Sequence, residues 1–232
     1  MLSGEGGETV RYRHEWKYAI TCADMLCLRQ RLSAVAERDI HTVDGKYLIR
    51  SLYFDNASDR VLRDKINGVN VREKFRIRFY NNDTGVIHLE KKRKVNGLCS
   101  KESVSLTEGQ VQAIVYGNIC WMIQSGVPLI EELYCRMRSE GLRPKTIVEY
   151  TREPFVFAPG NVRVTIDYGI RAGYVCADFL DPDCVTVPVG DVPAILEVKW
   201  DEFLPDIIRD AVQTKNCRPG AFSKYAACRI YG

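Results

Sequence analysis

"REKFRIRFYNNDTGVIHLEKKRK", from Arg72 to Lys94, holds two segments of strand alternation around a turn, and their polar faces are cationic. Side chains alternate across a strand, so Lys74, Arg76 and Arg78 share one face and Phe75, Ile77 and Phe79 the other. "NNDTG", Asn81 to Gly85, reads as a hairpin turn. Beyond it His88, Glu90, Lys92 and Lys94 share a face. If the apolar face packs on a core, the cationic row faces water, a nucleic acid, or an anion held in a cavity.

Strand patterns extend outward from this hairpin. They cover about 11–20, 47–54, 72–80, 86–94, 98–105, 146–157, 161–168 and 193–200. "VNG", Val95 to Gly97, is a second turn that makes the third, fourth and fifth strands a meander. Helical patterns fall at about 22–38, 57–66, 107–117, 127–140, 203–215 and 224–230, with Thr107 and Gln110 placed as a capping box. Eight strands with helices between some of them predict an α+β fold with a large antiparallel sheet, open or closed into a barrel.

Charged faces recur on other strands. Arg13, Glu15 and Lys17 alternate with Tyr12, His14, Trp16 and Tyr18; Val148, Tyr150 and Arg152 form one face, as do Arg163, Thr165 and Asp167. Ile195, Glu197 and Lys199 stand opposite Leu196, Val198 and Trp200. Any one such strand is what a half-exposed antiparallel sheet shows to water. Repetition argues otherwise, because cations aligned on neighbouring strands repel by roughly 4 kcal/mol per close pair at an intermediate dielectric. A polyanion would supply the missing counter-charge. Glu15, Glu90 and Glu197 each sit two residues before a lysine, and sparse carboxylates among cations suit hard Mg²⁺ or Mn²⁺ bridging to phosphate. The pattern points to a site for a phosphate chain.

Composition narrows the field. The 232 residues are 46% hydrophobic and carry a net charge of only +3, yet 71–101 hold nine Lys/Arg against three Asp/Glu. Basicity is therefore local, as at a site and not across a sticky surface. Aromatic residues alternate away from the cations instead of interleaving with them, which argues against nucleic acid. The nine cysteines lack any CxxC spacing, so neither a disulfide framework nor a zinc site is expected. "MLSGEGGETV" lacks the plan of a signal peptide, and no apolar run reaches the roughly 18 residues of a membrane span. The expectation is a soluble, cytoplasmic protein, with 1–10 a disordered N-terminal segment and 11–232 one domain.

Seven motifs occur in order: Arg13-x-Glu15-x-Lys17-Tyr, Arg50-Ser-Leu-Tyr-Phe-Asp55, Arg76-x-Arg78, Leu89-Glu90-x-Lys92, Tyr150-x-Arg152, Leu196-Glu197-x-Lys199 and Phe222-Ser223-Lys224-Tyr225. The set resembles the catalytic domain of the vacuolar transporter chaperone (VTC) polyphosphate polymerases. These belong to the triphosphate tunnel metalloenzymes, which include the CYTH phosphatases and adenylate cyclases. The resemblance runs from about Arg11 to Tyr231. It implies an eight-stranded antiparallel β-barrel forming a closed tunnel, with helices packed around it. Lys17, Arg76, Arg78, Lys92, Lys101, Arg152, Lys199 and Lys224 would contact phosphates, with hydroxyls from Tyr150 and Ser223. Glu197, supported by Glu15 and Glu90, would bind Mn²⁺ or Mg²⁺. Arg13, Arg163, Asp167 and Lys94 are further candidates for the site, Asp167 as a metal ligand. Lys224 and the amides of its short helix would meet an anion at a tunnel mouth. The implied reaction moves the γ-phosphate of ATP to a growing polyphosphate chain. A tripolyphosphatase or nucleoside triphosphatase, and a non-catalytic module binding polyphosphate or inositol polyphosphate, remain as alternatives on the same tunnel. Arg13 stands where the wider superfamily has the first Glu of Glu-x-Glu-x-Lys, which favours the VTC branch. A membrane partner is compatible with the chain; a span of its own is not expected.

Overall fold

The computed structural model describes residues 13–190, 194–214, 220 and 222–229. The segment 1–10, the start of the first strand at Arg11 and Tyr12, and the expected helix ends at 215 and 230 lie outside the described residues.

Among the described residues, all strands belong to one antiparallel sheet. They are β1 (His14–Ile20), β2 (Glu37–Arg38), β3 (Tyr47–Asp55), β4 (Val71–Tyr80), β5 (Asp83–Val95), β6 (Leu98–Leu106), β7 (Arg143–Phe157), β8 (Val162–Gly173), β9 (Val187–Pro188) and β10 (Ala194–Trp200). Eight of them follow the order β1-β10-β8-β7-β3-β4-β5-β6, while β2 pairs with β7 and β9 with β8. At the two ends of this path, the Arg13 and Cys99 backbones exchange hydrogen bonds of 3.2 and 3.4 Å. Helices α1 (Cys22–Val35), α2 (Arg60–Ile66), α3 (Glu108–Val115), α4 (Pro128–Ser139), α5 (Asp206–Ala211) and α6 (Lys224–Cys228) fill the connections.

The deciding hairpin is tighter than its sequence suggests. Tyr80 pairs with Asp83, and only Asn81 and Asn82 turn the chain, with φ of 52° and 56°. Asparagine tolerates this left-handed region, so β5 starts at Asp83 and not near 86. Asn96 and Gly97 make the same two-residue turn into β6. The Thr107–Gln110 capping box is present at α3. Helix α2 begins late, because Asn56 accepts from the Ser58 and Arg60 amides and Asp55 from those of Val61 and Leu62.

Apolar faces are buried under helices. Phe75, Ile77, Phe79, Ile87 and Leu89 pack with Val111 and Ile114 of α3 and Ile130 and Leu133 of α4. Leu28 and Leu32 of α1 and Ile208 of α5 cover Phe155, Val164, Leu196 and Val198. A third cluster lies on the face that carries the cations, where Tyr47, Ile49, Tyr53, Val148, Tyr150 and Ile195 meet Tyr225 and Cys228 of α6. Burying a large apolar side chain stabilises by about 1.5–3 kcal/mol, so helices on the outside leave the opposite face free for charge. Lys91 and Arg93 point outward as alternation requires, with Lys91 held by Glu132 of α4 at 2.6 Å.

Two members of "RSLYFD" serve the scaffold. Arg50 is buried on the helix-covered side, paired with Glu149 at 2.9 Å and donating to the Phe179, Asp181 and Pro182 carbonyls. Asp55, wholly buried, accepts the Tyr225 hydroxyl at 2.6 Å as well as the α2 amides.

Candidate functional site

One cavity gathers the charged faces of β1, β4, β5, β7 and β10 together with the start of α6. Strand β4 brings Lys74, Arg76 and Arg78; β5 brings Lys92 and Lys94; β1 brings Glu15 and Lys17. Tyr150 and Arg152 come from β7, Glu197 and Lys199 from β10, Tyr53 from β3, and Ser223 and Lys224 from α6. Its described lining holds eleven Lys/Arg and three Glu, so the cations inside far outnumber the acids.

Each acid is clamped. Glu197 lies 3.2 Å from Lys17, 3.1 Å from Lys224, 3.4 Å from Lys199 and 3.5 Å from Arg152. Glu15 meets Lys92 at 3.0 Å and both Lys17 and Lys199 at 3.5 Å. Behind the lining, Asp167 takes a forked pair of 2.6 Å bonds from Arg152 and a 2.6 Å contact from Lys224. Glu90 takes Arg76 at 2.6 Å and Lys101 at 3.1 Å. Burial alone would raise these carboxyls, but their cationic neighbours hold Glu15, Glu90, Glu197 and Asp167 below the usual carboxylate range.

The cations are less evenly served. Burial opposes charge on Lys17, yet Glu197 and Glu15 raise it above an ordinary lysine. Lys74 is pushed down to about 8 by burial and by Lys92, Lys17 and Arg76, against the pull of Tyr53. Lys199 also falls to about 8, through burial, Lys92 and Arg152 against Glu197 and Glu15. Positive charge at these two positions lacks sufficient counter-charge from the protein.

Most motif residues converge here, and some do not. Lys101 pairs with Glu90 from outside the cavity lining, its side chain 55% exposed. Glu90 is itself beneath the lining, between Arg76 and Lys101. Arg13 points to Asp201 at 2.7 Å and to the Asn161 carbonyl. Arg163 pairs with Asp39 at 2.8 Å and with the Tyr47 hydroxyl, away from the lining. Asp167 is fully buried as a counter-ion. Helix α6 has five residues, and the Ser223 hydroxyl accepts from the Ala226 amide at 3.3 Å, so the helix delivers Lys224 and not an amide site. Motif reading gave no role to Lys65, Arg72, Lys74 or Tyr53, which also line the cavity; alternation already placed Lys74 beside Arg76.

Among the described residues no group of three or more His, Cys, Asp or Glu side chains assembles as a metal site. Glu15 and Glu197 do come together, joined through Lys17 and Lys199. Two carboxylates fit Mg²⁺ or Mn²⁺ that takes its other ligands from phosphate and water. No helix among the described residues is long and apolar enough to cross a membrane.

The VTC domain model matches residues 12–230, the family whose motifs the sequence carries. No curated protein matches the sequence. Among solved structures, a putative adenylyl cyclase from Hippeastrum with a dominant triphosphatase activity is similar, at 13% identity and a TM-score of 0.55, over 94% of this chain and 95% of that one. A putative adenylate cyclase from Bacillus halodurans aligns at 10% identity and a TM-score of 0.47, over 82% and 80% of the two chains. One from Vibrio parahaemolyticus aligns at 10% and 0.45, over 87% and 83%.

Proposed function

Since this chain belongs to the VTC domain family, we propose that its cavity holds the phosphates of ATP and of a polyphosphate chain and transfers the γ-phosphoryl group to the chain. The excess of eleven cations over three acids in the lining carries this reading. The Arg13–Cys99 backbone contact between the ends of the strand path, with a 3.0 Å bond from Lys92 of β5 to Glu15 of β1, supports a sheet closed into a tunnel around that cavity.

In the reaction, a terminal oxygen of the acceptor chain bonds to the γ-phosphorus, the bond to the β–γ bridging oxygen breaks, and ADP leaves with that electron pair. An ionised phosphate oxygen needs no general base. What the reaction needs is in-line positioning and stabilisation of the equatorial oxygens. Arg76, Arg78 and Arg152 offer forked donors, while Lys17, Lys92, Lys199 and Lys224 offer point charges. Tyr150 and Ser223 add hydroxyls. Glu197 and Glu15 would hold Mn²⁺ or Mg²⁺, which neutralises phosphate charge when bound.

Incubation of the pure protein with ATP and Mn²⁺, followed by gel resolution of phosphate chains, tests the reading. A ladder of long chains with ADP supports the polymerase. Orthophosphate without a ladder makes the protein a tripolyphosphatase or nucleoside triphosphatase; the Hippeastrum protein is described as having a dominant triphosphatase activity. Intact ATP with tight tripolyphosphate binding makes the cavity a receptor for polyphosphate or inositol polyphosphate.

A further inference from the structure

Tyr53 lies within the Arg50–Asp55 motif and lines the cavity, but the phosphate reading gives it no role. It is 3% exposed. Its hydroxyl accepts from Arg76 Nη1 at 3.0 Å, and its ring stacks on Tyr225 at 5.2 Å between centroids. The Lys74 ammonium lies 5.2 Å from the ring centroid. A phenol that accepts from a guanidinium still has its own proton to donate, and the cavity is where an acceptor would stand.

We propose that Tyr53 is a phosphate-contacting residue, its hydroxyl sharing one phosphate oxygen with Arg76, and that the anion binds together with a proton held on that hydroxyl. This rests on the phosphate reading of the cavity and deepens it.

The surroundings of Tyr53 support the proton coupling. Strand β4 faces it with Lys74, Arg76 and Arg78; β7 contributes Tyr150 to its cluster; α6 contributes Tyr225, whose proton is committed to Asp55. Burial raises the Tyr53 phenol, but Arg76, Lys74 and Arg78 overcome this and lower it to about 7. In the free protein near neutral pH the site thus supplies part of its own counter-charge as phenolate. A phosphate oxygen arriving beside Arg76 takes over that role and repels the phenolate, so the hydroxyl regains its proton. Above about pH 7 each bound chain takes up that proton, and affinity falls by roughly tenfold per pH unit at most.

Long-chain polyphosphate is the suitable probe, because its interior phosphates do not titrate near neutrality. Calorimetry at pH ~8 in two buffers of different ionisation heat counts the protons taken up. The wild type is expected to take up close to one proton more than Tyr53→Phe, which keeps the ring on Tyr225. The variant is expected to bind about three- to tenfold more weakly at pH ~6.5 and to lose affinity less steeply between about pH 7 and 8. Equal proton counts and parallel pH profiles overturn the proposal. Should the variant fail to fold, the near-ultraviolet absorbance of the wild type decides: a phenolate that forms near pH 7 and is suppressed by polyphosphate supports the proposal, and its absence overturns it. A wild type that binds no polyphosphate at all defeats the phosphate reading itself, a result distinct from binding with an unchanged proton count.

Discussion

The Lys224 ammonium lies 2.6 Å from the Asp167 carboxylate, which has no solvent exposure. The same ammonium is 3.1 Å from Glu197, so one lysine from a five-residue helix links a buried counter-ion to the cavity wall. Lys224→Ala is expected to lower turnover by about 10²–10³-fold, the usual effect of removing one donor from developing charge. It should also cost about 3–5 kcal/mol of stability, because Asp167 keeps only Arg152. Lys91→Ala, on the outer surface against Glu132, is expected to leave turnover unchanged. Steady-state rates and thermal unfolding of both variants check this.

Glu197 and Glu90 occur in matching Leu-Glu-x-Lys motifs but in different settings. Glu197 lines the cavity, while Glu90 is clamped beneath it by Arg76 and Lys101. Glu197→Gln is expected to raise the Mn²⁺ concentration for half-maximal turnover more than about tenfold, as loss of one of few metal oxygens should. Glu90→Gln is expected to destabilise the fold and leave the metal requirement where it was. Metal titrations of activity separate the two. An unchanged Mn²⁺ requirement in the Glu197 variant would remove it from the metal site.

Much of this architecture is legible in the sequence because β4 and β5 contrast their faces sharply: Phe75, Ile77 and Phe79 are buried beneath helices and Lys74, Arg76 and Arg78 line the cavity. Strand β3 shows no such contrast, since all its residues but Leu48 are buried. Alternation therefore could not tell that Arg50 turns to Glu149 while Tyr53 turns to the cavity. Asp167 was ambiguous for a related reason, because a buried counter-ion and a metal ligand are the same residue type on the same face. The two-residue strands β2 and β9 are too short to carry a period at all. Arg163 shares a face with Asp167, yet it ends on Asp39, a partner 124 residues away that no local pattern reveals.

Unbalanced cations set the alkaline behaviour. Tyr53 is lowered to about 7, and Lys74 and Lys199 to about 8; the unfolded chain would hold these protons to about pH 10. Between these limits the unfolded state binds more protons, so stability rises with pH. The free protein is expected to melt a few °C higher at pH ~9 than at pH ~7, and the stabilisation by added polyphosphate should shrink over the same interval. Glu15, Glu90, Glu197 and Asp167 give the acid limit. Their contribution is present above about pH 4 and is lost as the pH falls further. Calorimetric melting from about pH 3 to 10 checks both arms.

Gly160 takes φ of 72° in the tight connection between β7 and β8, and a Cβ there would stand 2.4 Å from the Phe203 carbonyl oxygen. Gly160→Ala meets both a left-handed backbone and a backbone atom that cannot rotate away. Destabilisation of more than about 1 kcal/mol is expected, read as a lower denaturation midpoint with an unchanged slope.

Asp55 is not itself part of the cavity lining, yet it positions the lining. Its carboxylate holds the Val61 and Leu62 amides of α2 at 2.9 and 3.1 Å and the Tyr225 hydroxyl of α6 at 2.6 Å. Tyr225 follows Lys224 directly and stacks on Tyr53, so one buried acid sets the position of two residues that face the cavity. Tyr225→Phe removes a hydrogen bond to a charged group, at about 1.5–3 kcal/mol, and keeps the aromatic stack. Asp55→Ala releases both helices and leaves their donors unpaired, so its loss of stability should be larger and its turnover lower. The order wild type, Tyr225→Phe, Asp55→Ala is expected for both melting temperature and rate. If Asp55→Ala keeps the wild-type rate below its melting transition, Lys224 is placed by the sheet and not by this strap.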